Sequence, residues 1–140
     1  MEHSITIPKD NVMSEVYKIT GYTGSKAGDI DKISSTKDES KILNSYLKEA
    51  IGSISDIISA YGVIKETDSE CIIDLIMPAN WKVAVKDSLI TNLSNYLTNF
   101  VCLKWFNLTH KEDVEYYNNI LKTISANIIK LFCERIRPIR

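Results

Sequence analysis

Long apolar stripes with helical spacing most strongly constrain the fold of this 140-residue chain. Side chains three and four positions apart share one face of an α-helix, so apolar residues repeated in this way mark a buried face. Three segments show the pattern, with apolar positions Leu43, Leu47, Ala50, Ile54, Ile57 and Tyr61; Leu89, Leu93, Tyr96, Phe100 and Leu103; and Val114, Tyr117, Leu121, Ile124, Ile128 and Leu131. We expect three long helices in near-antiparallel packing.

Capping signals predict where these helices begin. In a capping box, a threonine oxygen accepts an early amide hydrogen bond and a glutamate three residues later reaches back to the cap amide. Thr36 with Glu39 and Thr109 with Glu112 both fit this pattern. Asn80 follows a proline and is the predicted cap of the middle helix, which we expect to run to about residue 106.

The stretch LKWFNLTHKEDVEYYNNI, residues 103–120, joins the second and third stripes. Asn107 and Leu108 are the predicted short connection of an αα-hairpin. His110 then falls in the first turn of the last helix, as a surface residue. We interpret this stretch as a corner of the fold and not as a catalytic site.

The N-terminal part of the chain combines a strand signal with a weaker helix signal. Residues 4–8 alternate in polarity and end at Pro8, which predicts a short strand. Val12, Val16 and Ile19 share one face of a short helix, and Gly21 is its predicted C-terminal end. Residues 21–35 hold three of the five glycines and are expected to form a flexible loop.

Residues 70–77 give a second strand signal, bounded by Pro78. A lone strand leaves its edges unpaired, so it needs a partner. The partner is residues 4–8, the region of Val63 and Ile64, or a strand of another subunit. The expected fold is therefore a single mainly α domain, residues 1–140: an antiparallel bundle of three long helices plus a short N-terminal helix, with a small β element.

Composition excludes several classes of function. The chain has 17 basic and 18 acidic residues, so it is not a general polyanion binder. The most apolar stretch is interrupted by polar residues, and the N-terminus lacks a signal-peptide pattern, so we expect a protein without a membrane segment. Cys71, Cys102 and Cys133 lie far apart and are interpreted as small core residues.

No catalytic or metal-binding pattern stands out. His3 and His110 are the only histidines, and neither lies in a nucleophile motif. Phosphate-binding loops, dinucleotide fingerprints and zinc-protease motifs are missing from the sequence. We therefore expect no enzyme activity, no catalytic residues, no cofactor and no metal.

Residues 88–103 contain no charged side chain, which is unusual for a solvated helix. Protein interfaces are depleted in Lys, Glu and Asp, so this face is a predicted subunit contact. Asparagine supplied by an AT-rich genome explains the same pattern equally well. The interface candidates are Ser88, Thr91, Asn92, Asn95, Thr98 and Asn99, together with Ile72 and Ile76 from the predicted strand.

Positive charge is concentrated near the C-terminus, in KLFCERIRPIR. Cations there complement the helix dipole, and this explains the pattern without any partner. A basic arm at residues 134–140 that contacts an acidic protein or DNA phosphates is the alternative. The contact candidates are Lys130, Arg135, Arg137, Ile139 and Arg140.

Several patches, taken in order, resemble small virion proteins of tailed phages of gut bacteria, including the crAss-like group. They are ITIPKDNVMSEVYKITGYTGSK, the capped TKDES helix, the strand ending at Pro78, VCLKWFNLTHKEDVEYY and RIRPIR. The resemblance spans nearly the whole chain and rests on pattern and order. It implies a neck protein: a non-enzymatic head–tail connector, or adaptor, that forms a homo-oligomeric ring between portal and tail.

The resemblance also sets expectations for partners and location. The ring would contact the portal protein and tail or neck proteins, lie near packaged dsDNA without sequence specificity, and touch no membrane. The protein would be made in the bacterial cytoplasm and end in the virion. Alternatives are a tail-completion or tail-terminator ring protein, or a small helical intracellular regulatory or binding module.

Overall fold

The computed structural model describes residues 2–28 and 40–136. Within these ranges the chain is mainly helical, with four α-helices and one three-stranded antiparallel sheet, which confirms the expected class. In chain order the elements are β1 (Glu2–Pro8), α1 (Lys9–Ala27), α2 (Ser40–Ile58), β2 (Gly62–Glu66), β3 (Glu70–Ile76), α3 (Lys86–Thr109) and α4 (Val114–Cys133). Short 3-10 turns at Val83–Val85 and Lys111–Asp113 precede α3 and α4.

The N-terminal helix is longer than the sequence pattern indicated. α1 has 19 residues, as many as α2, and it continues through Gly21 to end at Gly28, whose φ of 76° is the left-handed conformation of a helix C-cap. The prediction that Gly21 ends the helix was wrong because buried Thr20 and Gly24 carry the packing past it. The expected loop at residues 21–35 is therefore helical over its first seven residues, and its part at 29–35 lies outside the described residues.

The sheet has the order β1-β3-β2, so both intrachain partners suggested by the sequence pair with β3. Ile73 of β3 lies opposite Ile5 of β1 on one side and Ile64 of β2 on the other. The alternation holds as expected: the inward side chains of β1 and β3 are buried, namely Ile5, Ile7, Cys71, Ile73 and Leu75. These side chains join the sheet to the helical core.

Helix α3 is the centre of the molecule. It contacts α1, α2, α4 and β1, and it is buried on more than one face. The expected positions Leu89, Leu93 and Tyr96 are buried, whereas Phe100 and Leu103 are only partly buried. Its further buried residues are Leu97, Thr98, Val101, Cys102, Trp105 and Phe106. A helix surrounded by other helices does not carry charge, so much of the uncharged run at residues 88–103 follows from packing within one chain.

Both predicted start signals around α3 and α4 were wrong. Asn80 does not cap α3, which begins at Lys86 after the 3-10 turn. Thr109 is the last residue of α3, and its hydroxyl donates to the Trp105 carbonyl oxygen four residues back. Neither His110 nor Asp113 makes a side-chain capping hydrogen bond for the turn and helix that follow. Asn107 and Leu108 are therefore helical, and the corner lies at His110.

Two further expectations concern helix α2 and the cysteines. The predicted capping pair Thr36 and Glu39 lies outside the described residues.

Cys71 and Cys102 are buried as expected, but Cys133 is exposed at the end of α4, which corrects its assignment to the core. Among the described helices, none is both long and apolar enough to cross a membrane.

Candidate functional site

A cleft of about 680 Å³ opens at the corner between α1 and the start of α4. Its walls come from the second half of α1, from the 3-10 turn after α3 and from the first turn of α4. We call it the corner cleft; its lining residues are Lys18, Ile19, Tyr22, Thr23, His110, Glu112, Asp113, Tyr116 and Tyr117. It exists because α1 continues beyond Gly21 and so brings Tyr22 and Thr23 opposite α4.

Aromatic rings form the floor and the rim of the corner cleft. Tyr117 is buried, and its ring centroid lies 5.2 Å from that of Phe106 and 5.2 Å from that of Tyr116. Tyr116 and Tyr22 lie at the rim, with exposed fractions of 61% and 69%. Two exposed tyrosines at one cleft offer flat apolar faces that a partner can cover at a low cost in side-chain entropy.

A hydrogen bond between Tyr117 and Thr23 links α4 to α1 at the base of the cleft. The pKa of the Tyr117 phenol is raised, first because burial disfavours the phenolate, with nearby acidic groups adding to the effect. The phenol therefore stays protonated near neutral pH and can keep its hydrogen bond. Tyr117 fixes the floor of the cleft and is not poised as a base.

The polar lining is acidic on balance. The His110 Nε2 atom lies 3.7 Å from the Asp113 carboxylate and 3.8 Å from the Glu112 carboxylate. Among the described lining residues Lys18 is the one lysine, and its ammonium lies 3.3 Å from the Glu15 carboxylate on the same helix. The carboxylates of Glu112 and Asp113 thus outnumber the ammonium of Lys18, which is already paired with Glu15. This balance of charge favours a cationic ligand.

Carboxylates next to tyrosine faces are suited to guanidinium and ammonium groups. The carboxylates accept charge-assisted hydrogen bonds, and an aromatic face attracts a cation through its quadrupole. Over residues 2–28 and 40–136, no three His, Cys, Asp or Glu side chains are grouped so as to hold a metal ion. The arrangement offers a basic side chain both carboxylate acceptors and aromatic faces.

The comparisons with known proteins place the chain in no family. No family model matches it, and neither a curated protein nor a solved structure does. Function must therefore be inferred from the residues and their geometry.

The structure separates the predicted interface residues into three groups. Thr98 is buried and donates its hydroxyl to the Ser94 carbonyl oxygen, so it is not a surface residue. Asn92 and Asn99 are half-buried, and their side-chain amides donate to carbonyl oxygens four residues back. The exposed candidates on this face are Ser88, Thr91 and Asn95.

The other two interface candidates lie on the outward side of the sheet. Ile76 is 68% exposed, Ile72 is half-buried, and Val63 of β2, which sequence reasoning had not included among the candidates, is 59% exposed. We call this surface the outer sheet face; its residues are Val63, Lys65, Ile72, Asp74 and Ile76, with the exposed Glu2, Ser4 and Thr6 of β1 beside them. Lys65 and Asp74 form an ion pair of 3.5 Å in its middle.

Arg135 is not part of a free arm. Its Nη1 atom donates to the carbonyl oxygens of Phe132 and Glu134, at 2.7 and 3.0 Å, so it closes the end of α4. The backbone N–H of Ile136 donates to the Asn80 carbonyl oxygen at 2.8 Å. An arm can therefore begin only after Ile136. Lys130 is exposed on α4, and Arg137, Ile139 and Arg140 lie outside the described residues.

Sequence reasoning found the corner but missed the cleft. Tyr116 gave a signal: it lies one position before Tyr117 of the helical stripe, so its side chain points away from the buried face. The contribution of Tyr22 and Thr23 gave none, because Gly21 indicated that the helix ended before them.

Proposed function

We propose that this chain is a non-enzymatic structural subunit of a tailed-phage neck, and that it assembles into a homo-oligomeric connector ring between portal and tail. The phage assignment rests on the resemblance of its sequence patches. The observation that carries the assembly is the outer sheet face, where Val63 and Ile76 expose large apolar side chains beside an ion pair.

The outer sheet face has the composition of a protein contact. Exposed apolar side chains on one face favour burial against another protein, and a charged pair beside them sets orientation more than affinity. Within the described residues β1 and β2 are the edge strands of the sheet, so each also presents a free edge. Sheet face and edges together provide one side of a lateral contact.

In this proposal the helices form the wall of the ring, with α3 inside each subunit. The finer arrangement is that of an antiparallel bundle around α3, to which α1 adds a fourth long helix. The exposed polar residues Ser88, Thr91 and Asn95 are secondary candidates for the lateral contact. Lys130 and the basic residues after Ile136 are the candidates for contact with the portal or with packaged DNA.

Light scattering of the purified protein over a wide concentration range, alone and with its candidate portal, tests the proposal. We expect a defined cyclic oligomer, or one nucleated by the portal. Ile76→Lys should abolish this assembly, since it replaces an exposed apolar side chain of the contact by a hydrated charge that resists burial. Ile42→Lys is the matched control, because Ile42 is exposed on α2. A monomer under both conditions contradicts the proposal.

The corner cleft favours a second candidate function, that of a small helical binding module. Such a protein would be a monomer or dimer that captures a basic peptide in the cleft. Light scattering separates the two candidates, since the binding module predicts no large assembly at any concentration.

A further inference from the structure

We propose that the corner cleft of one copy binds residues 137–140, Arg-Pro-Ile-Arg, of a second copy. This inference rests on the proposed ring assembly, and it assigns the segment after Ile136 to a neighbouring subunit in place of the portal or DNA contact. Each subunit would then carry a donor end, residues 137–140, and an acceptor site, the corner cleft between α1 and the start of α4.

The chemistry of the two parts is complementary. The cleft supplies the Glu112 and Asp113 carboxylates and the exposed faces of Tyr22 and Tyr116. Guanidinium groups pair with carboxylates through two parallel hydrogen bonds and stack on aromatic faces. Arg137 and Arg140 supply two such groups. Ile139 between them would meet Ile19, the aliphatic residue of the lining.

Charges around the cleft do not oppose this contact. Lys18 of the lining is paired with Glu15 on α1. Lys111 and Glu115 are exposed next to the cleft on the turns that form it, and their charges cancel. Among the described residues, the incoming arginines therefore meet more carboxylates than ammonium groups.

Distance excludes the chain's own residues 137–140 as the occupant. The segment leaves from Ile136, which the hydrogen bond to Asn80 holds near the C-terminal end of α4. At 1.5 Å per residue, the helix from Tyr117 to Cys133 separates this point from the cleft by about 24 Å. Four extended residues span only about 14 Å. The occupant must come from another copy.

A contact between two different surfaces of the same chain is heterologous. Each copy uses its donor end once and its acceptor cleft once, so copies join head to tail and close into a ring when the rotation permits.

Two complementary variants test the inference. The tail-less variant lacks residues 137–140 and keeps its cleft; the cleft variant Glu112→Lys with Asp113→Lys keeps its tail. We expect each to be monomeric alone at concentrations where the wild-type protein assembles. Mixed in equal amounts they should form a complex of two chains and no larger species, since the mixture offers one matched pair of surfaces. A mixture that stays monomeric, or either variant assembling like the wild type, overturns the inference.

A direct binding measurement keeps the test independent of assembly. The probe is a peptide of residues 134–140, titrated into the tail-less protein by calorimetry. We expect saturable binding that becomes roughly tenfold weaker in the cleft variant or in Tyr116→Ala, and weaker with added salt. Asp56→Lys, an exposed change on α2, is the control and should bind as the tail-less protein does. No binding to the folded tail-less protein overturns the inference.

The outcomes separate this contact from the ring proposal. If the wild type and the tail-less variant form the same ring, the ring stands and the tail–cleft contact is wrong. If the wild type never assembles, alone or with the portal, and the peptide still binds, the cleft recognises this segment and the ring proposal is wrong.

Discussion

The indole Nε1 of Trp81 donates a 3.0 Å hydrogen bond to the main-chain carbonyl oxygen of Leu131, in the last turn of α4. The Trp81 side chain is buried, and its backbone forms an isolated antiparallel bridge with Arg135. One tryptophan thus attaches the segment after β3 to the end of α4. This joins the sheet to the last helix at the point from which the proposed donor end departs.

Replacing Trp81 by phenylalanine should lower the free energy of unfolding by about 2–4 kcal/mol, because a carbonyl oxygen of the last turn loses a buried donor and the smaller ring leaves a cavity in the core. The Glu134 N–H still donates to the Leu131 oxygen at 3.4 Å, which limits the hydrogen-bond part of the loss. Urea denaturation followed by circular dichroism measures the change. Stability equal to that of the wild type would show that the hydrogen bond does not hold the end of α4.

Two glycines should respond in opposite ways to the same substitution. A β-carbon at Gly62 would overlap the Asp74 carbonyl oxygen of the neighbouring strand, whereas one at Gly52 would meet nothing within 4 Å. We expect Gly62→Ala to destabilise the protein by about 3 kcal/mol through backbone overpacking. Gly52→Ala, in the middle of α2, should stabilise it by about 1 kcal/mol.

Parallel thermal and urea denaturation of these two variants makes the comparison, with each serving as the control for the other. If Gly62→Ala is tolerated without loss, the close approach of β2 to β3 at this position is wrong.

Local periodicity predicted much of the fold. Side chains point to opposite faces at successive strand residues, and this produces the alternation around Ile5 and Ile73. The alternation predicted both strands and which of their side chains face the core. The helical stripes reflect the 3.6-residue turn in the same way. Both signals lie within a few residues of sequence and need no knowledge of the rest of the chain.

The ends and surroundings of the helices could not be predicted in this way. Gly21 has the residue type of a helix end, but packing against neighbouring helices decides whether a helix stops. A single apolar stripe also does not reveal how many partners a helix has, so Leu97 and Val101 of α3 were missed. The corner cleft could not be predicted for the first of these reasons. It forms only where α1, extended beyond Gly21, meets the turn after α3.

Thr109 offers a direct test of the corrected corner. Its hydroxyl donates to the Trp105 carbonyl oxygen within the same helix, an interaction that contributes little to helix stability. Thr109→Ala should therefore change the free energy of unfolding by less than about 0.5 kcal/mol. Loss of a true N-cap costs about 1 kcal/mol, so a decrease of that size, measured by urea denaturation, would restore the capping box.

Burial of Cys102 should make the stability of the protein depend on pH in the alkaline range. Burial raises the pKa of the Cys102 thiol from 9.0 to about 12. Above pH 9 the unfolded chain loses this proton while the folded chain keeps it, so stability is complete below pH 9 and falls as the pH rises towards 12. Between pH 8 and pH 10.5 we expect this thiol to account for a loss of about 1–2 kcal/mol.

The measurement is the free energy of unfolding at the two pH values, with reductant present, for the wild type and for Cys102→Ala. Substitution also leaves a small cavity, but its energetic effect is the same at both pH values, so the difference between them isolates the thiol. The alkaline loss should be smaller in Cys102→Ala than in the wild type. An equal alkaline loss in the wild type and in Cys102→Ala would mean that Cys102 ionises as readily in the folded chain as in the unfolded one, and would place water beside α3 at the centre of the core.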